Sequence, residues 1–305
     1  MLNETYLKKL SVPKGKIDVV LDTDTFNEID DQFAVSYMLK SSYKLNVKAI
    51  YAAPFLNPKS TSPEDGMEQS YNEILKLIDI GNFDFDKKNV FKGSTNYLID
   101  ENTPVISDAA RDLAERASHY SPENPLYVVG IAVLTDIASA ILLKPEIKDN
   151  IVVVWLGGNS FDCYINNEFN LVQDIAAARV VFGCGAAVVM LPCRGVVSAF
   201  VTTGPELEYW LGGKNELCTY LKDATVAEAE SYAKGKAWSR PIWDVTAIAW
   251  LLNDDDRFMH WRLEHSPIPE YDNHWAFCCD RHFIVYVDII KRDALFTDLF
   301  TTLAK

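Results

Sequence analysis

The chain alternates between short, uniformly apolar runs and longer segments whose apolar residues recur at helical spacing. The apolar runs cover 19–21, 46–53, 126–131, 151–156 and 186–191. Short apolar runs bounded by polar turns are typical of strands buried on both faces of a parallel sheet. We therefore predict these five segments to be strands, with a weaker one at 89–93.

Segments of helical periodicity separate these strands. Helices are predicted at 30–39, 64–80, 107–120, 135–144, 175–182, 205–236 with a break at Gly-Gly-Lys-Asn, 244–252 and 293–303. Strands that alternate with helices imply βα units with right-handed crossovers. The sequence thus predicts an α/β fold with an open, mostly parallel β-sheet flanked by helices. A small antiparallel addition is predicted near the C-terminus, at 282–287, and 1–305 is predicted to be one domain.

The first predicted strand ends in an unusually acidic loop. Asp22 and Asp24 follow the apolar run directly, and Asp30 and Asp31 begin the next helix. Ligands bind parallel sheets at this carboxyl edge, and carboxylates so close together raise one another's pKa. Ligand sets of oxygen alone favour Ca²⁺ or Mg²⁺ over zinc. A simpler interpretation, that Asp30 or Asp31 only caps the helix, leaves Asp22 and Asp24 unexplained.

Composition excludes several functional classes. The formal net charge of −14 argues against binding to nucleic acid or to an anionic membrane surface. Six scattered cysteines form no C-x-x-C pair, which favours reduced thiols in a cytoplasmic protein. The N-terminus lacks a signal-peptide core, and no apolar run approaches the ~20 residues that span a bilayer.

Further polar residues follow the other predicted strands or begin a later helix. They are Asn57, Thr135, Asp136, Asn159, Asp162, Asn166, Asn167, Glu168, Asn170 and Asp244. Motifs of serine hydrolases, P-loop NTPases and dinucleotide-binding proteins are missing from the sequence. A pocket of carboxylates and amides around a hard cation suits a polyhydroxylated ligand such as a sugar ring.

Several segments, in order, resemble the inosine–uridine nucleoside hydrolase family of calcium-dependent N-ribohydrolases. The acidic loop, Asp22-x-Asp24 to Asp30-Asp31, is similar to the family's D-x-D-x-G-x-D-D, but is two residues longer and lacks the glycine. The other matching segments are V-L-T-D at 133–136, W-L-G-G at 155–158, E-F-N at 168–170 followed by Asp174 and an alanine-rich helix, and Trp243-Asp244. The resemblance spans roughly residues 17 to 250.

The resemblance implies a nucleoside-hydrolase-like fold and a role for each matching residue. The implied Ca²⁺ ligands, with Mg²⁺ less favoured, are the side chains of Asp24, Asp31 and Asp244 and the backbone oxygen of Thr135. Asp24 is also the implied general base for a metal-bound water. The implied ribose-binding residues are Asp30, Glu168 and Asn170, with Asn57 beside them. Asp22 is implied to support the loop from behind.

Two departures from the family pattern bear on the substrate. Trp243 replaces the histidine that many members place before the late aspartate; a purine-preferring branch stacks a tryptophan there on the base. The alternative is that Trp243 only packs in the core. The longer first loop can also bring Asn27 or Glu28 to the substrate, whereas Arg240 is expected to be a solvated charge.

These observations leave three hypotheses. The first is hydrolysis of the N-glycosidic bond of ribonucleosides, purines favoured, to free base and ribose. The second is hydrolysis of another pentosyl compound. The third is a metal-dependent sugar- or nucleoside-binding protein without turnover. The resemblance further implies a homo-oligomer, either a dimer or a tetramer.

Overall fold

The computed structural model describes residues 4–305. Twelve strands lie within that range. They are β1 (Ile17–Thr23), β2 (Leu45–Ala52), β3 (Val90–Lys92), β4 (Leu126–Gly130), β5 (Ile151–Leu156), β6 (Ala187–Leu191), β7 (Val201–Thr202), β8 (Arg240–Pro241), β9 (Met259–His265), β10 (Ile268–Pro269), β11 (Trp275–Ala276) and β12 (Phe283–Ile290). Eight of them form one sheet in the order β3-β2-β1-β4-β5-β6-β12-β9, and β7–β8 and β10–β11 form two small antiparallel pairs.

Eleven α-helices lie in the same described range. They are α1 (Glu4–Lys9), α2 (Asp30–Lys40), α3 (Pro63–Ile80), α4 (Asp108–Ala117), α5 (Thr135–Leu143), α6 (Phe169–Val172), α7 (Ile175–Gly183), α8 (Gly204–Leu211), α9 (Glu216–Ala233), α10 (Val245–Leu251) and α11 (Arg292–Leu303). Ser107 caps α4 and Asp174 caps α7 through their side chains. None of these helices combines the length and apolar character that a bilayer span requires.

Parallel pairing aligns the carboxyl ends of the central strands. In β1, Thr23 pairs with Ala52 of β2, and Asp22 pairs with Gly130 of β4. The register continues from β4 through β5 to β6, where Leu156 lies opposite Leu191. The loops that leave these strands therefore meet at one edge of the sheet, and the predicted α/β fold is confirmed.

Helices cover both faces of the sheet, which explains why its strands are uniformly apolar. One buried cluster lies between the sheet and the helices α2, α10 and α11, and the other between the sheet and α4, α5 and α7. α2 was expected to be amphipathic, yet it is buried along nearly its whole length, from Asp30 to Met38. A helix packed on several sides has no solvent face to show in its pattern.

The C-terminal strands differ in part from the prediction. β12 pairs in parallel with β6 and is antiparallel only to its other neighbour, β9, which the sequence did not indicate. β9 carries charged residues along a sheet edge and is largely half-exposed, so it lacks the apolar run by which the buried strands were found. The expected antiparallel addition is thus β9, together with the small β10–β11 pair.

Close approach of β3 to β2 makes Gly93 a critical position. A Cβ there would lie 2.3 Å from the Ala52 carbonyl oxygen and 2.3 Å from Asp136 Oδ2. We expect Gly93→Ala to lower the free energy of unfolding by about 1–3 kcal/mol in urea titrations, because the strand or Asp136 must shift. The control is Gly183→Ala in α7, where the nearest atom is 3.8 Å away. The control should keep or slightly raise stability; equal effects would contradict the prediction.

Candidate active site

Four aspartates converge at the carboxyl edge of the sheet. Asp24 lies in the loop after β1, Asp30 and Asp31 form the first turn of α2, and Asp244 immediately precedes α10. Carboxylate oxygens of Asp30, Asp31 and Asp244 lie within 4.8 Å of one another. Asp24 lines the same cavity as these three. Residues more than 200 positions apart thereby share one small volume.

Helix capping does not account for the aspartate pair. The N-cap of α2 is Ile29, and no side-chain hydrogen bond caps the helix. Asp31 instead accepts a hydrogen bond at 2.6 Å from the Thr23 hydroxyl at the end of β1. A turn closed by the Asn27 amide donating to the Asp24 carbonyl oxygen, at 2.7 Å, holds the intervening loop. The sheet and the loop thus position these acids toward the cavity.

Burial dominates the electrostatics of the cluster. Desolvation, reinforced by the charges of neighbouring acids, raises the pKa values of Asp24, Asp31 and Asp244 well above their usual range. Desolvation also raises the pKa of Asp30 to about 7, although the guanidinium of Arg240 opposes the rise. The cluster therefore holds protons that exposed aspartates would release.

The donor set fits a hard cation. Among the described residues, Asp24 Oδ2, Asp30 Oδ1 and both oxygens of Asp22 are buried without a hydrogen-bond partner. Leaving buried polar atoms unpaired is costly, and buried charges are usually paired or bound to metal. All the facing ligand atoms are carboxylate oxygens, which suit Ca²⁺ or Mg²⁺. The chemistry of the cluster is therefore that of a divalent-cation site.

Beside the aspartates lies a cavity of about 270 Å³. Its other polar and aromatic lining residues are Asn27, Glu28, Asn159, Asn167, Glu168, Phe169, Asn170, Cys193, Arg194 and Trp243. Trp243 is half-buried, so it both lines the cavity and packs against the core. The cavity thus combines carboxylates, amides and two aromatic side chains.

Backbone contacts hold Glu168 and Asn170 rigidly at the wall of the cavity. The Glu168 carboxylate accepts hydrogen bonds from the amides of Gly158, Asn170 and Leu171 at 2.7–3.0 Å. The Asn170 amide group donates to the carbonyl oxygens of Ile131 and Leu156 at 3.3 and 3.1 Å. Glu168 is therefore fixed to the loop after β5 and to the first turn of α6, and Asn170 to the ends of β4 and β5.

Three of the predicted site residues lie behind the cavity lining. Asn57 donates to Asn27 Oδ1 at 2.6 Å and so supports a lining residue from outside. The Thr135 hydroxyl donates to Asp174 at 2.6 Å, and that carboxylate also accepts from the amides of Leu98 and Ala177. Asp22 is fully buried in β1, where desolvation and the nearby Asp136 raise its pKa.

Sequence reasoning missed several residues of the site. Arg240, expected to be solvated, is buried and donates to Glu28 at 2.7 Å, with Asp30 3.6 Å away. It also lies 5.4 Å from the centroid of the Trp243 ring. Cys193 and Arg194 follow β6 at the carboxyl edge, so the strand-end rule applied to the fifth apolar run would have found them. Asn27 and Glu28 were not missed: the longer first loop was expected to bring one of them to the substrate, and both line the cavity.

Solved structures of nucleoside hydrolases share the fold of this chain. A plant nucleoside hydrolase structure superposes with a TM-score of 0.74 at 18% identity, covering 94% of this chain and 99% of that one. A purine-preferring ribonucleoside hydrolase from Gardnerella vaginalis gives 0.73 at 18% identity, covering 94% and 98%. At these identities the likeness establishes the fold.

The sequence establishes the family. The family model for inosine-uridine preferring nucleoside hydrolases matches residues 19–288, and the chain belongs to this family of hydrolases. A probable uridine nucleosidase 2 from Arabidopsis thaliana is 28% identical over 133 residues. That match covers 42% of this chain and only 40% of the length of the plant protein. The resemblance found in the motifs is thus confirmed.

The raised pKa of Asp30 makes the stability of the metal-free protein depend on pH. Between the ordinary value of 3.8 and about 7, the folded state keeps a proton that the unfolded chain releases. The free energy of unfolding should therefore fall as pH rises through this interval. Because other groups titrate too, the quantity to measure is the Tm of wild type minus the Tm of Asp30→Asn, both in chelator, and this value should fall as pH rises from about 4 to 7.

Calcium should reverse this loss of stability, since a bound divalent cation takes the place of the protons on the carboxylates. We expect CaCl₂ to raise the Tm of wild-type protein more at pH 7 than at pH 5, by mass action on the folded state. Asp84→Asn, which alters an exposed aspartate outside the cavity, should keep the full response. If calcium left the Tm of wild-type protein unchanged at pH 7, this would contradict the presence of a cation site.

Proposed function

We propose that this protein hydrolyses the N-glycosidic bond of ribonucleosides, with purine nucleosides favoured, to give free base and ribose. The observation that carries the proposal is the buried carboxylate cluster with unpaired oxygens, set beside Glu168 and Asn170 in a chain of this family. A cavity with these groups suits a pentose ring, since the ring offers two adjacent hydroxyls and a bond to be cleaved.

The side chains of Asp24, Asp31 and Asp244 and the backbone oxygen of Thr135 would hold Ca²⁺, in preference to Mg²⁺. The acids stand on three elements that the fold brings together, and Asp174 holds Thr135 from behind. When bound, the cation supplies a Lewis acid that lowers the pKa of water and grips a vicinal diol. Asp22, buried behind the loop, supports the acids from β1.

Asp30, Glu168 and Asn170 are assigned to the ribose hydroxyls. Glu168 retains acceptor capacity, because its two oxygens accept three amide hydrogen bonds and a carboxylate offers about four sites. Asn57 acts on the sugar only through Asn27, to which it donates. Fixed ligands of this kind hold the ring in the orientation that attack requires.

Asp24 is the proposed general base. It takes a proton from the attacking water as the water oxygen bonds to the anomeric carbon, while the electron pair of the N-glycosidic bond leaves with the base. The surrounding carboxylates stabilise the positive charge that develops on the sugar ring. Attack opposite the leaving base inverts the configuration at the anomeric carbon.

Trp243 carries the proposed preference for purines. The two enzymes named above, from Gardnerella and Arabidopsis, are described for different bases, so the argument rests on this chain. The Trp243 ring lines the cavity, and the guanidinium of Arg240 lies near it at 5.4 Å. A ring held in this way offers a larger stacking area to a purine than to a pyrimidine.

The domain organisation, oligomeric state and cellular location are proposed from membership of the family. Residues 1–305 are proposed to act as one domain, in a homo-oligomer of two or four chains in the cytoplasm.

Hydrolysis of another pentosyl compound is the second candidate function, and it is favoured by one observation. The longer first loop places Glu28 in the cavity, held there by Arg240.

Loss of the general base should greatly reduce turnover, whereas substrate binding should persist. We expect Asp24→Asn to lower kcat for ribose release from inosine by a factor of about 10²–10⁴, measured with a reducing-sugar assay. Calorimetry should still detect nucleoside binding with excess calcium present. Chelator should remove wild-type activity and calcium should restore it. Asp84→Asn is the control, and full activity of Asp24→Asn would refute the assignment.

Removal of the Trp243 ring should affect purines more than pyrimidines. We expect Trp243→Ala to lower kcat/KM for inosine about two- to tenfold more than for uridine, as expected for a stacking contact of ordinary strength. Trp243→Phe keeps an aromatic face and should recover part of the preference. Equal losses for both nucleosides would show that Trp243 only packs in the core.

A further inference from the structure

The cavity contains opposite charges. Six acidic residues line it, Asp24, Glu28, Asp30, Asp31, Glu168 and Asp244, together with one arginine, Arg194. We propose that Arg194 recognises an anionic group on the pentosyl substrate, so that the preferred substrates are phosphorylated or carboxylated pentosyl compounds. This inference rests on the proposed function and narrows its substrate class.

The backbone of Arg194 is held firmly while its side chain is free. Its amide donates to Asn159 Oδ1 at 3.2 Å, and its carbonyl oxygen accepts from the Ser160 amide at 2.9 Å. The next residue, Gly195, has φ +90°, and a Cβ there would lie 2.6 Å from Ser160 Cβ. The turn after β6 is therefore packed closely against the loop after β5, which fixes where the arginine leaves the backbone.

The Arg194 guanidinium differs from the other cations near the cavity. Arg240 donates to Glu28, and Lys59 donates to the Asn27 carbonyl oxygen at 2.6 Å and lies 3.6 Å from Glu228. Arg194 is exposed, and no side-chain hydrogen bond, ion pair or ring contact within residues 4–305 engages it. A charge left unpaired on the lining of an acidic cavity is available to a ligand.

Asparagine side chains are linked to the backbone of Arg194, because Asn159 Oδ1 accepts from the Arg194 amide and the Asn159 amide donates to Asn166 Oδ1. Asn167 lines the cavity and is exposed, and Asn166 is fully buried with its Nδ2 unpartnered among the described residues. Cys193, which precedes Arg194, also lines the cavity. Donors from arginine and asparagine therefore share the lining of one cavity with the carboxylates.

This mixed lining matches a pentose that carries an anion. The vicinal hydroxyls of the ring suit the carboxylates, and an anionic substituent suits the arginine and amide donors. Arginine binds phosphate and carboxylate through paired hydrogen bonds, whereas carboxylates alone would repel either group. The anion has two possible sources: a phosphate on the sugar C5 or a carboxylate on the base.

The experiment compares matched substrates with wild-type protein and calcium present. Inosine is paired with inosine 5′-monophosphate to test the sugar phosphate, and uridine with orotidine to test a base carboxylate. We expect kcat/KM to be at least about tenfold higher for the anionic member of one pair, as a charge-assisted contact supplies. No gain in either pair, with inosine hydrolysed, would overturn the inference and leave the proposed function intact.

Substitution of Arg194 assigns the effect to this residue. Arg194→Met should remove the gain, so that kcat/KM falls at least about tenfold more for the anionic substrate than for the neutral nucleoside. Arg111→Met changes an exposed arginine on α4, outside the cavity, and should have no effect. Equal losses for neutral and anionic substrates in Arg194→Met would overturn the inference.

A binding measurement separates this inference from turnover. Calorimetry with ribose 5-phosphate, ribose and inorganic phosphate needs no hydrolysis. Tighter binding of ribose 5-phosphate than of ribose, lost in Arg194→Met, would support the phosphate assignment even if no nucleoside is cleaved. Should ribose 5-phosphate bind no better than ribose, and orotidine be hydrolysed no better than uridine, the inference fails.

Discussion

Repulsion among buried carboxylates is the constraint on which this structure depends. Asp24, Asp30, Asp31 and Asp244 are almost wholly removed from water and face one another with few donors to satisfy them. Isolated, such a group would be strongly destabilising. The fold tolerates the cluster because a well-packed sheet and two buried helices supply the compensating stability around it. The unfavourable burial of carboxylates is thus concentrated at the place where a cation can bind.

The fold was predictable because its signals are local. Each central strand is buried on both faces, so each appears as an apolar run between polar turns, and the caps at Ser107 and Asp174 mark where helices begin. β9 was missed for the converse reason. It lies at a sheet edge with His260, Arg262 and Glu264 along it, and a half-exposed strand has no continuous apolar run to reveal it.

The acids of the site were predictable because they follow strands and fall into a known order. Arg240 was not, since its burial depends on Glu28 and Glu228, which belong to separate segments of the chain. A pairing of this kind arises only when the chain folds, and no sequence spacing encodes it. Arg194 was missed for a different reason: an arginine cannot ligate a metal, and no catalytic motif marks its position after β6.

Asp174 shows how the parts are joined. Its carboxylate accepts hydrogen bonds from the Ala177 amide in α7, the Leu98 amide after β3 and the Thr135 hydroxyl at the start of α5. Three distant stretches of the polypeptide thus share a single junction that never faces the cavity. A substitution at this position would break the hydrogen bonds to all three partners at once. Directed evolution of the pocket should therefore keep Asp174 unchanged.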